Sequence, residues 1–545
     1  MYFMSDTSNI VAQSYNSPPK YTEIQTGLPE DYKDIKTLGD LLAINYKLVG
    51  VKQQLRRNLI SLINSGKPKY PGIVGFEDDV IPALDRAILS CHDIFLVGQI
   101  GQAKTKIVET ISKNLLSPIP VIKNSITHDC PMDLPENELV SLLDDKEPNN
   151  SSPKFYVSPE SADKIRDNKQ ETQIEWVGGK DRYKYVLATP DISVKDLVGY
   201  IDAVKVAKKG IEMYKIDSYS PGQLMQAKHG IFCIDELPVL DPRKQVSLLS
   251  VLQEGRFTTG SYPVIFEPKT SLFATANPID YTHSGKVIEP LYDRLKSHIH
   301  THYPKSLENE MLIILQEANI PKSFIISPIL KTLSMIIQKA RKSHEINQER
   351  GVSVRIGIHG LELLVGESER TRALSHKILP VPRLSDMYCL DQVAKFELVE
   401  RDDTIENREK IFRDLIDESI HEICLEYLND KDVTLLESIK QEFQGKTFQV
   451  SQKMIWKNGQ TSYENQLENF KNLKYLVELK VQQIRSEQKS LIEKTTPYHI
   501  DSTSLIINET GESELQSVLT EIILEGLRWI NPKILERKEA GYVSA

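Results

Sequence analysis

Cysteine is scarce in this chain. The five residues, Cys91, Cys130, Cys233, Cys389 and Cys424, are scattered through 545 positions with no Cys-x-x-Cys spacing, which excludes a disulfide scaffold and the usual paired zinc or redox motifs. Long hydrophobic runs are also missing: nothing approaches the ~18 consecutive apolar residues of a spanning helix, and the first residues lack the charged-then-apolar pattern of a secretory signal. Positive charge is not in excess. Lys and Arg number 67 against 76 Asp and Glu, for a net charge of −9 and a pI near 5.9, which argues against a broadly basic nucleic-acid surface. The expectation from these absences is a protein of the reducing cytoplasm with no membrane segment and no nucleic-acid partner.

What is present is globular. Apolar residues make up 40% of the chain, enough for sizeable cores, and the length suggests about two to four domains. Residues 1 to about 35 are rich in Ser, Asn, Pro and Tyr without periodicity and read as a mobile arm. Residues 38–64 look helical. A charged, Asn/Pro/Ser-rich stretch near 129–172 reads as an exposed insertion without chemistry. Gly178-Gly179 between strand-like flanks suggests a hairpin, with Tyr183 to Leu187 continuing as β. Alternating helices and short apolar strands before residue 304 point to a parallel α/β sheet. After about residue 306 the spacing is helical nearly throughout: 308–318, 326–342 and 356–366, then 404–428, 433–443, 464–494 and 513–528. The division read from this pattern is a core over 36–304, a helical lid over 305–380 and a further helical region over 381–545.

The most informative stretch runs from Asp93 to Thr105, where an apolar strand enters a loop carrying Gly98, Gly101, Gln102, Ala103, Lys104 and Thr105 before a helix. Backbone N–H groups of such a loop and the helix N-terminus offer partial positive charge to phosphates; the lysine adds a full charge, and the threonine hydroxyl reaches Mg²⁺. Ala103 departs from the usual glycine before lysine. A buried strand, Gly230-Ile-Phe-Cys-Ile, then ends in Asp235-Glu236. One carboxylate of such a pair can complete a Mg²⁺ site and the next can activate water. Ser271 to Asn277 forms a third strand whose terminal amide could hold the γ-phosphate and the lytic water, and Arg294 in Leu-Tyr-Asp-Arg-Leu offers a rigid fork for phosphate charge. Taken singly, each has a plainer reading: a strand-to-helix turn, solvated strand-end acids, a turn-forming Asn before Pro278, a surface ion pair.

In this order, over about residues 70–375, the motifs resemble the AAA+ ATPases of the branch holding magnesium chelatase ATPase subunits and MoxR-type ATPases. The resemblance implies a P-loop NTPase core, a parallel sheet flanked by helices, followed by an α-helical lid and further C-terminal helices, with ATP and Mg²⁺ as cofactors. Ala103 is similar to the replicative minichromosome maintenance helicases at that position. The resemblance further implies that Arg294 is an arginine finger reaching a neighbouring subunit's nucleotide, that Arg355 is the second sensor arginine, that the chains form a ring of six, and that an insertion near 196–220, with Lys205, Lys208 and Lys209, faces a partner. It implies a separate partner protein with a von Willebrand A-type metal-adhesion domain, whose Asp-x-Ser-x-Ser signature is missing here. The function so implied is remodelling of a partner or help with metal or cofactor insertion; a DNA translocase and a non-hydrolysing nucleotide scaffold are the alternatives. Two further clusters, His298/His300/His302 and His128-Asp129-Cys130, are conceivable metal ligands, with structural histidines as the plainer reading.

Overall fold

The computed structural model describes residues 28–29, 31–144, 154–210, 218–254, 256–259, 262–266, 268–278, 286–399, 403–428, 433–450, 462–506, 509–538 and 541–545. Two compact units are present, Lys20–His302 and a second containing Tyr303–Ala545.

The first unit is built on five strands, β1 (Ile94–Val97), β2 (Tyr183–Leu187), β3 (Ile231–Asp235), β4 (Ser271–Ala276) and β5 (Ser297–His300). They lie in the order β5-β1-β4-β3-β2, and every adjacent pair is parallel. The inner strands of a parallel sheet are covered on both faces, so β1, β4 and β3 are buried nearly throughout and successive residues serve opposite cores. Ile94, Leu96, Ile231, Cys233 and Phe273 pack on one side with α1 (Val51–Ser65), α2 (Val80–Leu89) and α3 (Lys104–Leu115). Phe95, Val97, Phe232, Ile234, Leu272 and Ala274 pack on the other, with Leu248 and Val251 of α4 (Pro242–Glu254) and Leu291 of α5 (Glu289–Arg294). The parallel core read from the sequence is therefore observed, with additional helices following it.

Three local expectations differ. The helix expected over 38–64 is two, Leu38–Ala43 and α1. No hairpin forms at Gly178-Gly179: Ile174–Val177 pairs antiparallel with Ile119–Ile122, while Gly179–Arg182 makes one 3₁₀ turn that leads into β2. Gly179 is needed for close approach to α3, since a Cβ there would strike the Ser112 and Leu116 carbonyls. The stretch near 129–172 is not simply exposed. Its described parts include helices Glu136–Leu143 and Pro159–Asn168, whose Leu139, Leu142 and Ile165 share a small core with Leu38 and Ile122. Most of the segment read as an arm lies outside the described residues, but Tyr32 stacks edge-on against Trp176 and the indole of Trp176 donates to the Ile35 carbonyl at 3.0 Å.

The second unit is mainly helical, with α6 (Leu307–Glu317), α7 (Ser327–Lys342), α8 (Arg355–Ser368) and long helices Ile405–Glu426, Lys471–Thr495 and Glu509–Trp529. Buried ion pairs hold it, Arg372 to Asp386 at 2.6 Å and Arg383 to Glu514 at 2.8 Å. The chain closes in an antiparallel hairpin, Leu535–Lys538 with Gly541–Ser544, a feature that the helical spacing of this region did not signal.

Candidate nucleotide site

Loop 98–103 leaves the C-terminal end of β1 and turns directly into α3. Gly101 has φ +80° and Ala103 φ +56°, so two residues of the loop are left-handed. At Ala103 this costs roughly 1–2 kcal/mol relative to right-handed backbone, which explains why glycine suits that position. Gly98 is required by contact: a Cβ there would collide with Thr301 and Gln102. The Gln102 amide oxygen pins the loop, accepting from the Gln99 backbone N–H at 3.0 Å and from the Thr301 hydroxyl at 2.9 Å. Lys104 is buried, and its ammonium donates to the Gly98 and Gln99 carbonyls at 2.5 and 2.9 Å. A full positive charge is thus held inside the loop.

Period-two alternation decides what faces this loop. Since Ile231 and Cys233 point to the α3 side, so does Asp235. By the same count Thr275 and Tyr185 fall on that side of β4 and β2. Both of these side chains and Thr105 of α3 converge on the Asp235 carboxylate. Asp235 Oδ2 accepts from Thr105 Oγ1 at 3.3 Å and from the Tyr185 phenol at 2.8 Å, and Oδ1 accepts a short bond from the Thr275 hydroxyl. Burial and the bond to Asp235 push the Tyr185 phenol pKa up, so it acts as a donor. Glu236 follows in a left-handed conformation, φ +59°, with its N–H donating to Thr275 Oγ1 at 3.1 Å. That reversal turns the chain out of the sheet at the residue assigned to water. Asn277, one residue beyond β4, is buried at the same C-terminal edge.

The Thr105 hydroxyl and the Asp235 carboxylate are oxygen donors 3.3 Å apart, the donor chemistry a hard divalent cation such as Mg²⁺ prefers. Of the residues expected at the site, Gly98, Gly101, Gln102, Ala103, Lys104, Thr105, Asp235, Glu236 and Asn277 all lie at this one edge of the sheet. Arg294 does not. It ends α5, with Nη2 donating to the Leu252 carbonyl at 3.3 Å and Nε 3.8 Å from the carboxylate of Asp93, the residue before β1. The length of β1 separates that end from the loop, about 16 Å at ~3.3 Å per residue. Arg355 begins α8 in the second unit. Sequence reasoning missed Tyr185 and Thr275. Thr275 was visible inside its strand motif, but β2 carried no motif, and only its pairing beside β3 brings Tyr185 to the carboxylate.

His298 and His302 fall to structural roles. His298 packs edge-on against Tyr292 and Phe95, and His302 bonds the Asp79 carboxylate at 3.0 Å. Among the described residues no group of three His, Cys, Asp or Glu side chains could hold a metal. Asp129 is instead the centre of a buried polar knot, taking bonds from Thr127 Oγ1, Ser158 N–H and Ser161 Oγ at 2.9 Å each and lying 3.3 Å from Lys228 Nζ. Lys228 also sits 3.5 Å from Asp133. Burial alone would raise the Asp129 pKa, but the Lys228 charge and the Ser158 bonds outweigh it and bring it down to about 2. The knot ties the 125–133 loop to the residues that open β3, the strand bearing Asp235.

Residues 173–295 match the family described as AAA domain (dynein-related subfamily). This stretch is distantly related to the AAA+ ATPases. The AAA match takes in Asp235, Glu236, Asn277 and Arg294 and begins after loop 98–103. An uncharacterized Bacillus subtilis (strain 168) protein, YeaC, is 25% identical over 161 residues, 29% of this chain; the alignment spans 43% of that relative. Among solved structures, the complex of subunits BchI and BchD of magnesium chelatase is 18% identical with a TM-score of 0.29, over 62% of this chain and 98% of that one. NtrX from Brucella abortus in complex with ADP is 14% identical with a TM-score of 0.31, over 72% and 70%. Hsp104 in its closed state with ATPγS and casein is 12% identical with a TM-score of 0.34, over 60% and 49%. At that level of likeness none of the three assigns a role to a residue here. No helix among the described residues is long and apolar enough to cross a membrane.

Proposed function

We propose that the chain is an ATP-hydrolysing, ring-forming AAA+ motor of the magnesium chelatase ATPase subunit or MoxR-like kind, working in the cytoplasm to remodel a separate partner protein or assist metal or cofactor insertion. The observation that carries this reading is the convergence of Lys104, Thr105, Asp235, Glu236 and Asn277 at the C-terminal edge of one parallel sheet, where such sheets bind ligands.

In this reading Lys104 exchanges its loop carbonyls for the β- and γ-phosphates, and loop N–H groups with the start of α3 hold the remaining charge. Thr105 and Asp235 hold Mg²⁺, which when bound neutralises phosphate charge. Glu236 takes a proton from water as its oxygen attacks the γ-phosphorus and the bond to the β,γ-bridging oxygen breaks, leaving ADP and phosphate. Asn277 orients that water. The placement of Arg294 at the far end of β1 supports a role on a neighbouring subunit's nucleotide, as a ring of six requires, with Arg355 reporting nucleotide state through the helical unit. A von Willebrand A-type metal-adhesion protein is the partner this kind implies.

ATP hydrolysis by the purified protein is the test, with assembly followed by light scattering. Glu236→Gln should bind ATP and assemble while turnover falls by about 10²–10⁴-fold, the usual weight of a general base. Lys104→Ala should lose nucleotide binding. Unchanged turnover in Glu236→Gln would reject the assignment.

A further inference from the structure

Tyr185 reaches the site from outside every motif. It lies on β2, an edge strand of the sheet, and is 40% exposed. The register pairs Leu187 with Asp235 and Tyr185 with Cys233, so the phenol must extend along the strand by about two residues, roughly 6.6 Å, to meet the carboxylate. It does so at 2.8 Å.

Asp235 is thereby gripped on two flanks. On β4 the Thr275 hydroxyl, fully buried, bonds Oδ1. On β2 Tyr185 bonds Oδ2, the same oxygen that faces Thr105 at the longer and weaker distance of 3.3 Å. Rotation of an aspartate carboxylate about its last torsion is soft. With Thr275 alone as a firm partner, a swing that takes Oδ2 off Thr105 is opposed by one firm bond instead of two.

We propose that Tyr185 is a positioning residue of the metal site: from the edge strand it aims Asp235 Oδ2 at Thr105 and so sets how tightly a divalent cation is held beside the nucleotide phosphates. This rests on the reading of the site as a Mg²⁺–nucleotide pocket. Because the phenol is part-exposed, water replaces some of what its removal takes away. The effect is therefore moderate, about three- to tenfold in metal affinity, below the range for a fully shielded hydrogen bond to a charged group.

The test is binding of a fluorescent ADP analogue to the full chain across a Mg²⁺ titration, for wild type, Tyr185→Phe and Tyr185→Leu. Both variants should raise the half-saturating Mg²⁺ concentration three- to tenfold, while affinity for the analogue in EDTA and the thermal midpoint stay at wild-type values. A merely structural tyrosine would move the thermal midpoint or the metal-free affinity instead. An unchanged or lower half-saturating Mg²⁺ in the variants would overturn the inference and leave the pocket standing. Failure of the wild type to bind the analogue at any Mg²⁺ concentration would remove the pocket itself, and the inference with it.

Discussion

Asp129 offers the sharpest quantitative check on the core unit. Its carboxylate is inaccessible to solvent, and the Lys228 charge together with hydroxyl and N–H donors brings its pKa from 3.8 down to about 2 despite burial. A carboxyl whose pKa is lower folded than unfolded stabilises the native state above the unfolded value and loses that contribution as pH falls through the folded value. A depression of that size is worth about 2 kcal/mol, complete above about pH 5 and mostly gone by pH 2. Asp129→Asn removes the charge and should cost about 3 kcal/mol at pH 7, the scale seen when one member of a buried pair is deleted. Since the variant lacks the titration, its gap to the wild type should narrow by about 2 kcal/mol between pH 5 and pH 2. Urea unfolding followed by Trp176 fluorescence, with Trp456 and Trp529 replaced by Phe, reads the gap within the unit that contains Asp129. A gap that stays constant down to pH 2 would refute the reasoning, because the stabilisation would then not come from the ionised carboxylate.

Two further outcomes follow from the site. Arg294→Ala should abolish turnover alone, yet mixing it with Glu236→Gln subunits should restore part of the activity, because a mixed interface in one of its two orientations pairs an intact arginine with an intact glutamate; no recovery on mixing would argue that Arg294 acts within its own subunit. Ala103→Gly should relieve left-handed strain of roughly 1–2 kcal/mol while adding about 0.4–1 kcal/mol of unfolded-state entropy, so thermal stability should change by no more than about 1 kcal/mol, with ATP binding retained. A large loss of binding would show that the alanine methyl itself is needed.

Much of the core is legible in the amino-acid sequence alone. The apolar run 94–97, the loop to Thr105, the run 231–234 with its two acids and the run 271–276 are each local signals, because a strand covered on both faces must be apolar along its length. Several helices of the second unit are legible within a residue or two from their 3.6-residue spacing, 307–317 against 308–318 and 327–342 against 326–342, whereas the span expected over 464–494 is two helices, Ser462–Leu467 and Lys471–Thr495, and the one expected over 513–528 begins at Glu509. The failures share a cause. Gly178-Gly179 looks like a hairpin because the sequence cannot say that Ile174–Val177 has a distant partner at 119–122. The 129–172 stretch looks solvated because its composition is polar, yet Asp129 is buried by donors gathered from residues 125–161 and a cation at 228.

The sequence by itself determined the chemistry on offer, a lysine and a threonine after a Gly-bearing loop, paired acids after one strand and an amide after another, because those demands are met within a few consecutive residues. Only the tertiary structure decided which of them meet. Strand order sets β4 beside β1 and β3 beside β4, and so carries Asp235 to Thr105. The alternation of side chains puts Thr275 and Tyr185 on that same face, and the length of β1 keeps Arg294 at the other end. Pairing between strands some fifty to two hundred residues apart leaves no periodic mark on the chain, and so the neighbours of a carboxylate are known only once the sheet is formed.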